Sequence, residues 1–236
     1  MNSAVTYRRT LRSKKTYVVS AVLAFVLFAA LAGAGVEAGV AAAEEETEAE
    51  ETVLSNVPYA VHFMTYAPEV GWEWELLAAV AYNESRYNPR VVSHGGARGV
   101  MQLMPKTGMR FGLNDSTFFE PEDNIAASVK YIARLQHQFR FITDTTEMTK
   151  FVLASYNAGP AHILDARRLA KEYGANPNRW DNVEYYIGQL KYEEYYTDSV
   201  VKYGSFNGGE TTSYVHKVLH TYNRIKREEA QLRAAD

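Results

Sequence analysis

Between residues 54 and 228 the apolar positions recur every three or four residues, the period of helices, and two-residue alternation is scarce. Trp72, Leu76, Leu77, Ala79, Val80 and Asn83 fall on one helix that ends near Ser85, and its apolar sides predict a central position. Ile125, Val129, Ile132, Leu135 and Phe139 form a stripe opened by Pro121 at a helix start. Asp144 and Glu147 are spaced as a capping box ahead of the run Phe151–Tyr156. Gly159-Pro160 ends that helix and begins another, carrying Ile163, Leu164, Ala170 and Tyr173. A last helix carries Tyr214, Val215, Val218, Leu219, Tyr222 and Ile225. The pattern predicts an all-α domain of about eight helices over 54–228, with 229–236 as a tail and no fixed repeat.

The chain ahead of this domain has a different character. Arg8, Arg9, Arg12, Lys14 and Lys15 precede an uncharged run from Thr16 to Val36, apolar at Tyr17–Leu31 and then rich in small residues. A basic stretch, an apolar stretch and an Ala-Gly-Ala site predict a secretory signal over 1–36. The same run is long enough to stay in a bilayer, so membrane association through residues 17–36 is the alternative. Both readings put the helical domain outside the cytoplasm, on the periplasmic side of a bacterial envelope. Residues 37–53 are rich in Ala and Glu and read as a solvated linker.

The net charge of −3 supplies no basic footprint for nucleic acid. With 0 Cys, the chain has no disulfide, thiolate metal site, cysteine nucleophile or lipid-bearing Cys. His216 and His220 stand four apart on one helix, a spacing that can hold zinc, but the residues between them lack the Glu of the metalloprotease pattern. No metal and no cofactor is expected.

The chemistry concentrates in Ala81–Pro105, AYNESRYNPRVVSHGGARGVMQLMP. Glu84 lies near the end of an otherwise apolar helix, where a carboxylate must pair, reach solvent or keep its proton. The loop that follows holds Ser93, Gly95, Gly96 and Gly99, and glycines let a backbone approach a ligand closely. A new helix carrying Met101, Gln102 and Met104 is expected next, its thioethers lowering the dielectric beside Glu84 and raising its pKa. A carboxylic acid kept neutral near pH 7 is what general-acid cleavage of an acetal needs. A local cap or ion pair, the common role of a glutamate at a helix end, accounts for this position as well.

These residues resemble the signature of the lytic transglycosylases, glycoside hydrolase family 23. That family shows a Glu-Ser pair, a Ser nine residues after the Glu and a Gly-Leu-Met-Gln block; here they are Glu84-Ser85, Ser93 and Gly99-Val100-Met101-Gln102. Its Ala-Tyr-Asn-Ala-Gly block is Ser155-Tyr156-Asn157-Ala158-Gly159, and its Glu-Thr-x-x-Tyr-Val block is Glu210-Thr211-Thr212-Ser213-Tyr214-Val215. Val100 and Ser155 depart mildly from the pattern. The stretch Asn176-Pro177, Trp180, Val183, Tyr195-Tyr196 and Tyr203-Gly204 is similar to the catalytic domain of the membrane-bound transglycosylase F group. That group places a solute-binding-protein-like domain before the catalytic one, and this sequence has no room for it, so regulation through that domain is not carried over.

The resemblance implies a lysozyme-like helical domain acting on peptidoglycan glycan strands at the bond from N-acetylmuramic acid to N-acetylglucosamine. Glu84 would act alone, first as acid and then as base, where ordinary glycosidases need two carboxylates. The sequence around the motif holds no second acid until Asp115. By the same resemblance Ser93 contacts the muramic sugar, Gln102 and Met104 shape the pocket floor, Tyr156 bonds or positions Glu84, and Asn157 and Tyr214 line the cleft. Met104 and Asn157 fit packing roles as well, and Tyr214 fits the apolar stripe of its helix. Lys106, Arg110 and Arg167 are cations that could meet peptide carboxylates, though spacing selects none of them. Two alternatives stay open at this point: a hydrolytic muramidase of the goose-type lysozyme class, and a non-catalytic wall-binding protein.

Overall fold

The computed structural model describes residues 57–235, which lie in one compact unit. The expected export segment (1–36) and acidic linker (37–53) lie outside the described residues. Among the described residues there is no strand, only antiparallel bridges pairing Val92 with Arg98 and Arg98 with Leu103. None of the described helices is long and apolar enough to cross a membrane.

In chain order the helices are α1 (Ala60–Tyr66), a 3-10 turn (Ala67–Val70), α2 (Trp74–Ser85), α3 (Pro105–Arg110), α4 (Pro121–Gln138) and α5 (Thr145–Ala158). They continue with α6 (Pro160–Glu172), α7 (Trp180–Gln189), the single turn α8 (Glu193–Tyr196) and α9 (Gly209–Ala235). Proline opens α3, α4 and α6, where its missing N–H leaves no hydrogen bond unmade. Gly159, at φ 78°, closes α5 and opens α6, as the Gly-Pro pair predicts.

Helix α2 is central because it is apolar all round: Leu77 through Ala81 are fully buried. The long α9 lies along it, burying Val215, Val218 and Ile225, while α1 closes on α2 and α4. Helix α5 lies against α4, α6 and α9 and buries Phe151–Ser155. A smaller apolar cluster of Leu103, Leu113, Phe118 and Ala127 supports the glycine-bearing loop from beneath, with Phe111, Tyr131 and Tyr156 packed on it.

Three expectations need correction. The capping box at α5 forms only in half. Asp144 accepts hydrogen bonds from the N–H groups of Thr146 (2.9 Å) and Glu147 (3.1 Å), but the Glu147 carboxylate turns inward to take the Trp180 N–H and Lys150. Burial alone would raise the Glu147 pKa; the Trp180 N–H and Lys150 outweigh it and hold the carboxyl below its usual range. The helix expected at Met101–Met104 begins only at Pro105, because Gly99 and Gln102 are both left-handed and the chain turns there. Lastly, the stretch set aside as a tail is helical through Ala235, since Glu229 is buried against Glu75 of α2.

Candidate active site

Glu84 sits in the last turn of α2, one residue before the helix ends in two consecutive left-handed residues, Arg86 and Tyr87. Non-glycine residues in that conformation carry strain, which persists only where the surroundings impose it. Here Ser85 imposes it, donating its hydroxyl to the Val100 carbonyl at 2.7 Å and so fastening the helix end to the loop beyond.

That loop is held from below by a residue the sequence did not single out. Asn124, fully buried on α4, accepts from the Met101 N–H at 2.8 Å and donates to the carbonyls of Phe118 (3.0 Å) and Arg98 (3.3 Å). Its one sequence signal is a polar residue abutting the apolar stripe at Ile125. Gly99 passes so close to Asn124 and to the Phe118 carbonyl that a methyl group there would overlap both, and its φ of 83° disfavours any other residue. The glycine expected to admit a ligand therefore admits the protein's own scaffold.

Tyr214 of α9 donates its hydroxyl to Glu84 Oε1 at 2.6 Å. Tyr156, at the end of α5, donates its hydroxyl to the Met101 carbonyl at 2.8 Å and not to Glu84. It is still close enough that the charge of Glu84 helps raise its pKa, after burial, well above the ordinary phenol range. Burial pushes the Glu84 carboxyl up to about 7, against the Tyr214 hydrogen bond, which pulls it down. The site thus brings together Glu84, Tyr156 and Tyr214 from three helices.

The other expected residues take supporting positions. Ser93 Oγ accepts from the Ala97 N–H at 2.9 Å and tightens the Ser93–Ala97 turn. Gln102, at φ 50°, spends its side-chain amide on the carbonyls of Gly99 (2.8 Å) and Val91 (3.0 Å), locking the loop. Met104 is 48% exposed, and Met101 belongs to the core. Asn157 Oδ1 accepts from the hydroxyl of buried Thr211 at 2.9 Å, tying α5 to α9. Asp115 lies on the surface, paired with Arg98 at 3.2 Å. Arg167 stacks over Phe141 and bonds Asn178. His216 meets Glu184 at 2.7 Å, and no group of three or more potential metal ligands gathers among the described residues.

A carboxyl of this kind holds its proton near neutrality and can lose and regain it during a reaction. Residues 63–178 match the family described as the transglycosylase SLT domain. A membrane-bound lytic murein transglycosylase F of Desulfosudis oleivorans is 39% identical over 160 residues, covering 68% of this chain and 34% of that protein. A protein of the same description from Vibrio cholerae serotype O1 is 36% identical over 176 residues, 74% of this chain and 32% of that one. The 70 kDa soluble lytic transglycosylase of Escherichia coli superposes with a TM-score of 0.49 at 24% identity, over 75% of this chain and 25% of that chain. The chain spans about a third of the length of the curated relatives it matches. Through residues 63–178 the chain belongs to the transglycosylase SLT domain family.

Proposed function

We propose that the protein is a peptidoglycan lytic transglycosylase with a lysozyme-like helical domain, and that Glu84 is its one acid and base. Glu84 gives its proton to the oxygen linking N-acetylmuramic acid to N-acetylglucosamine, and the C1–O bond breaks to release the glucosamine hydroxyl. The resulting Glu84 carboxylate takes the proton of the muramic C6 hydroxyl, whose oxygen closes on C1 as a 1,6-anhydro ring. Glu84 ends protonated, and no water is consumed. Because the nucleophile is already attached to the sugar, effective molarity stands in for a bound water.

The observation that carries this reading is a carboxyl held near pKa 7 by burial, with a phenol as its hydrogen-bond partner. Hydrolysis would call for a second carboxylate about 5–9 Å from the first. Burial and Tyr214 are the influences on Glu84, and Asp115, the nearest acid that follows it in sequence, points outward toward Arg98. Ser93, Gln102 and Met104 of the loop, with Asn157 beside Tyr156, frame the sugar-binding groove in this reading. The basic and apolar N-terminal stretches support export to the envelope, as a cleaved signal or a retained anchor, where the glycan strands lie.

The test is a digest of purified sacculi. Soluble fragments are expected to end in anhydromuramic acid, one water lighter than hydrolytic products, and Glu84→Gln is expected to lower the rate by about 10²–10⁴-fold. Reducing-end products alone, or an unaffected Glu84→Gln protein, would overturn the assignment.

A further inference from the structure

Beside the site, α3, α4 and the first residue of α6 enclose a recess of about 370 Å³. Lys106, Arg110 and Arg134 stand on its walls, Phe111 and Leu135 give it apolar surface, and no acidic residue lines it. Some other cations of the domain have carboxylate partners, among them Arg98 with Asp115, Lys150 with Glu147, Arg168 with Asp165 and Lys226 with Glu73, and others stand singly on the surface. Lys106, Arg110 and Arg134 have none among the described residues. Lys106 and Arg110 are four apart on one face of α3, where like charges repel, and Arg134 of α4 adds a third. Three exposed cations around a partly apolar recess, with no acid in its lining, give it a positive potential that favours an anionic ligand.

The recess adjoins the catalytic group through two rings. Tyr131 lines it, the Tyr131 and Tyr156 rings lie 5.5 Å apart, and Tyr156 is near enough to Glu84 to feel its charge. A ligand in the recess is therefore two rings away from Glu84. A volume of about 370 Å³ lies at the small end of ligand sites and suits two or three amino-acid residues.

We propose that this recess holds the carboxylates of the peptide stem that muramic acid carries on its lactyl group, a reading that rests on the glycan substrate proposed above. Arg110 and Arg134 bind free carboxylates by charge-assisted hydrogen bonds, Lys106 contributes a third positive charge, and Phe111 receives small aliphatic side chains. The recess thereby distinguishes peptide-bearing strands from stripped ones. Arg167 has no part in it.

Titration calorimetry on the full chain tests this with two soluble probes: N-acetylmuramyl-L-alanyl-D-glutamic acid, and the same compound with its carboxylates converted to amides. The acid is expected to bind about tenfold more tightly than the amide, and added salt is expected to shrink that preference. The double variant Arg110→Gln with Arg134→Gln is expected to lose the preference, while Lys171→Gln, an exposed cation at the end of α6, keeps it. Equal binding of the two probes, no binding of either, or a preference that survives the double variant would each overturn the proposal. The comparison of probes on the unaltered chain needs no substitution, so a folding defect in the variant cannot hide the answer. Binding is read without bond cleavage. A preference for the acid alongside hydrolytic products on sacculi would sink the transglycosylase reading and keep the recess; anhydro products with equal binding would do the reverse.

Discussion

At the scale of single residues, the contact from Tyr214 to Glu84 decides how the site behaves. Burial favours the neutral carboxylic acid, and the phenol favours the carboxylate that remains after the proton has left. Replacing Tyr214 by Phe removes the second influence alone, so the Glu84 pKa is expected to rise further. The falling limb of the pH–rate profile, expected near pH 7 in the wild type, moves to higher pH, while the maximal rate drops about tenfold or more because the carboxylate is less stable and less well oriented. A profile unchanged in position would show that Tyr214 only packs its helix. Both residues were legible as positions, but their pairing was not, since 130 residues separate them. The helix expected at Gln102 fails for a different reason: its left-handed backbone opposes its own preference and is held there by bonds to Val91 and Gly99. Asn124 left only the faint signal of a polar residue beside an apolar stripe, because its partners are backbone groups, which carry no signature in the sequence.

At the scale of elements, the helices with a long apolar stripe were plain from periodicity, and those fixed by other forces were not. Helix α4 has its stripe and opening proline, and α2 ends at Ser85 as its pattern predicts. The short α3 and α8 bury almost nothing of their own, so no stripe announces them. The inward turn of Glu147 shows where local pattern gives way to tertiary demand. The Trp180 N–H opens α7 and has no partner within its own helix, and the Glu147 carboxylate meets that need. Glu147→Ala is expected to lower stability by about 1–3 kcal/mol, read from the urea midpoint, because it leaves that buried N–H unsatisfied. The depressed pKa of Glu147 fixes how this cost varies with pH. Stability from the charged carboxylate is present above the unfolded pKa of about 4.3 and is lost as pH falls through the lower folded value, so the gap between wild type and variant narrows in acid.

At the scale of the whole described unit, the pairing of α2 with α9 joins the helix bearing Glu84 to the one bearing Tyr214, so whatever loosens that pairing loosens the site. Asn83 of α2 donates to Thr221 of α9 at 3.1 Å, and Glu75 and Glu229 meet farther along, both largely buried. Burial first, then the hydrogen bond with Glu229, raises the pKa of Glu75. A raised carboxyl pKa contributes stability that is complete below the unfolded value of about 4.3 and is lost as pH rises through the folded value. Glu75→Gln keeps a side chain able to hydrogen-bond Glu229 and cannot ionise. Its melting temperature is therefore expected to exceed that of wild type by several degrees at pH about 8.5, and to differ little at pH about 4. A gap equal at both pH values would mean that charge in the pair has no part in the pH dependence. Glu84 titrates across the same range and its burial destabilises both proteins as it ionises. That effect cancels in the difference between them, so the growth of the gap with pH isolates Glu75 and with it the junction of the two helices on which the contact of Glu84 with Tyr214 depends.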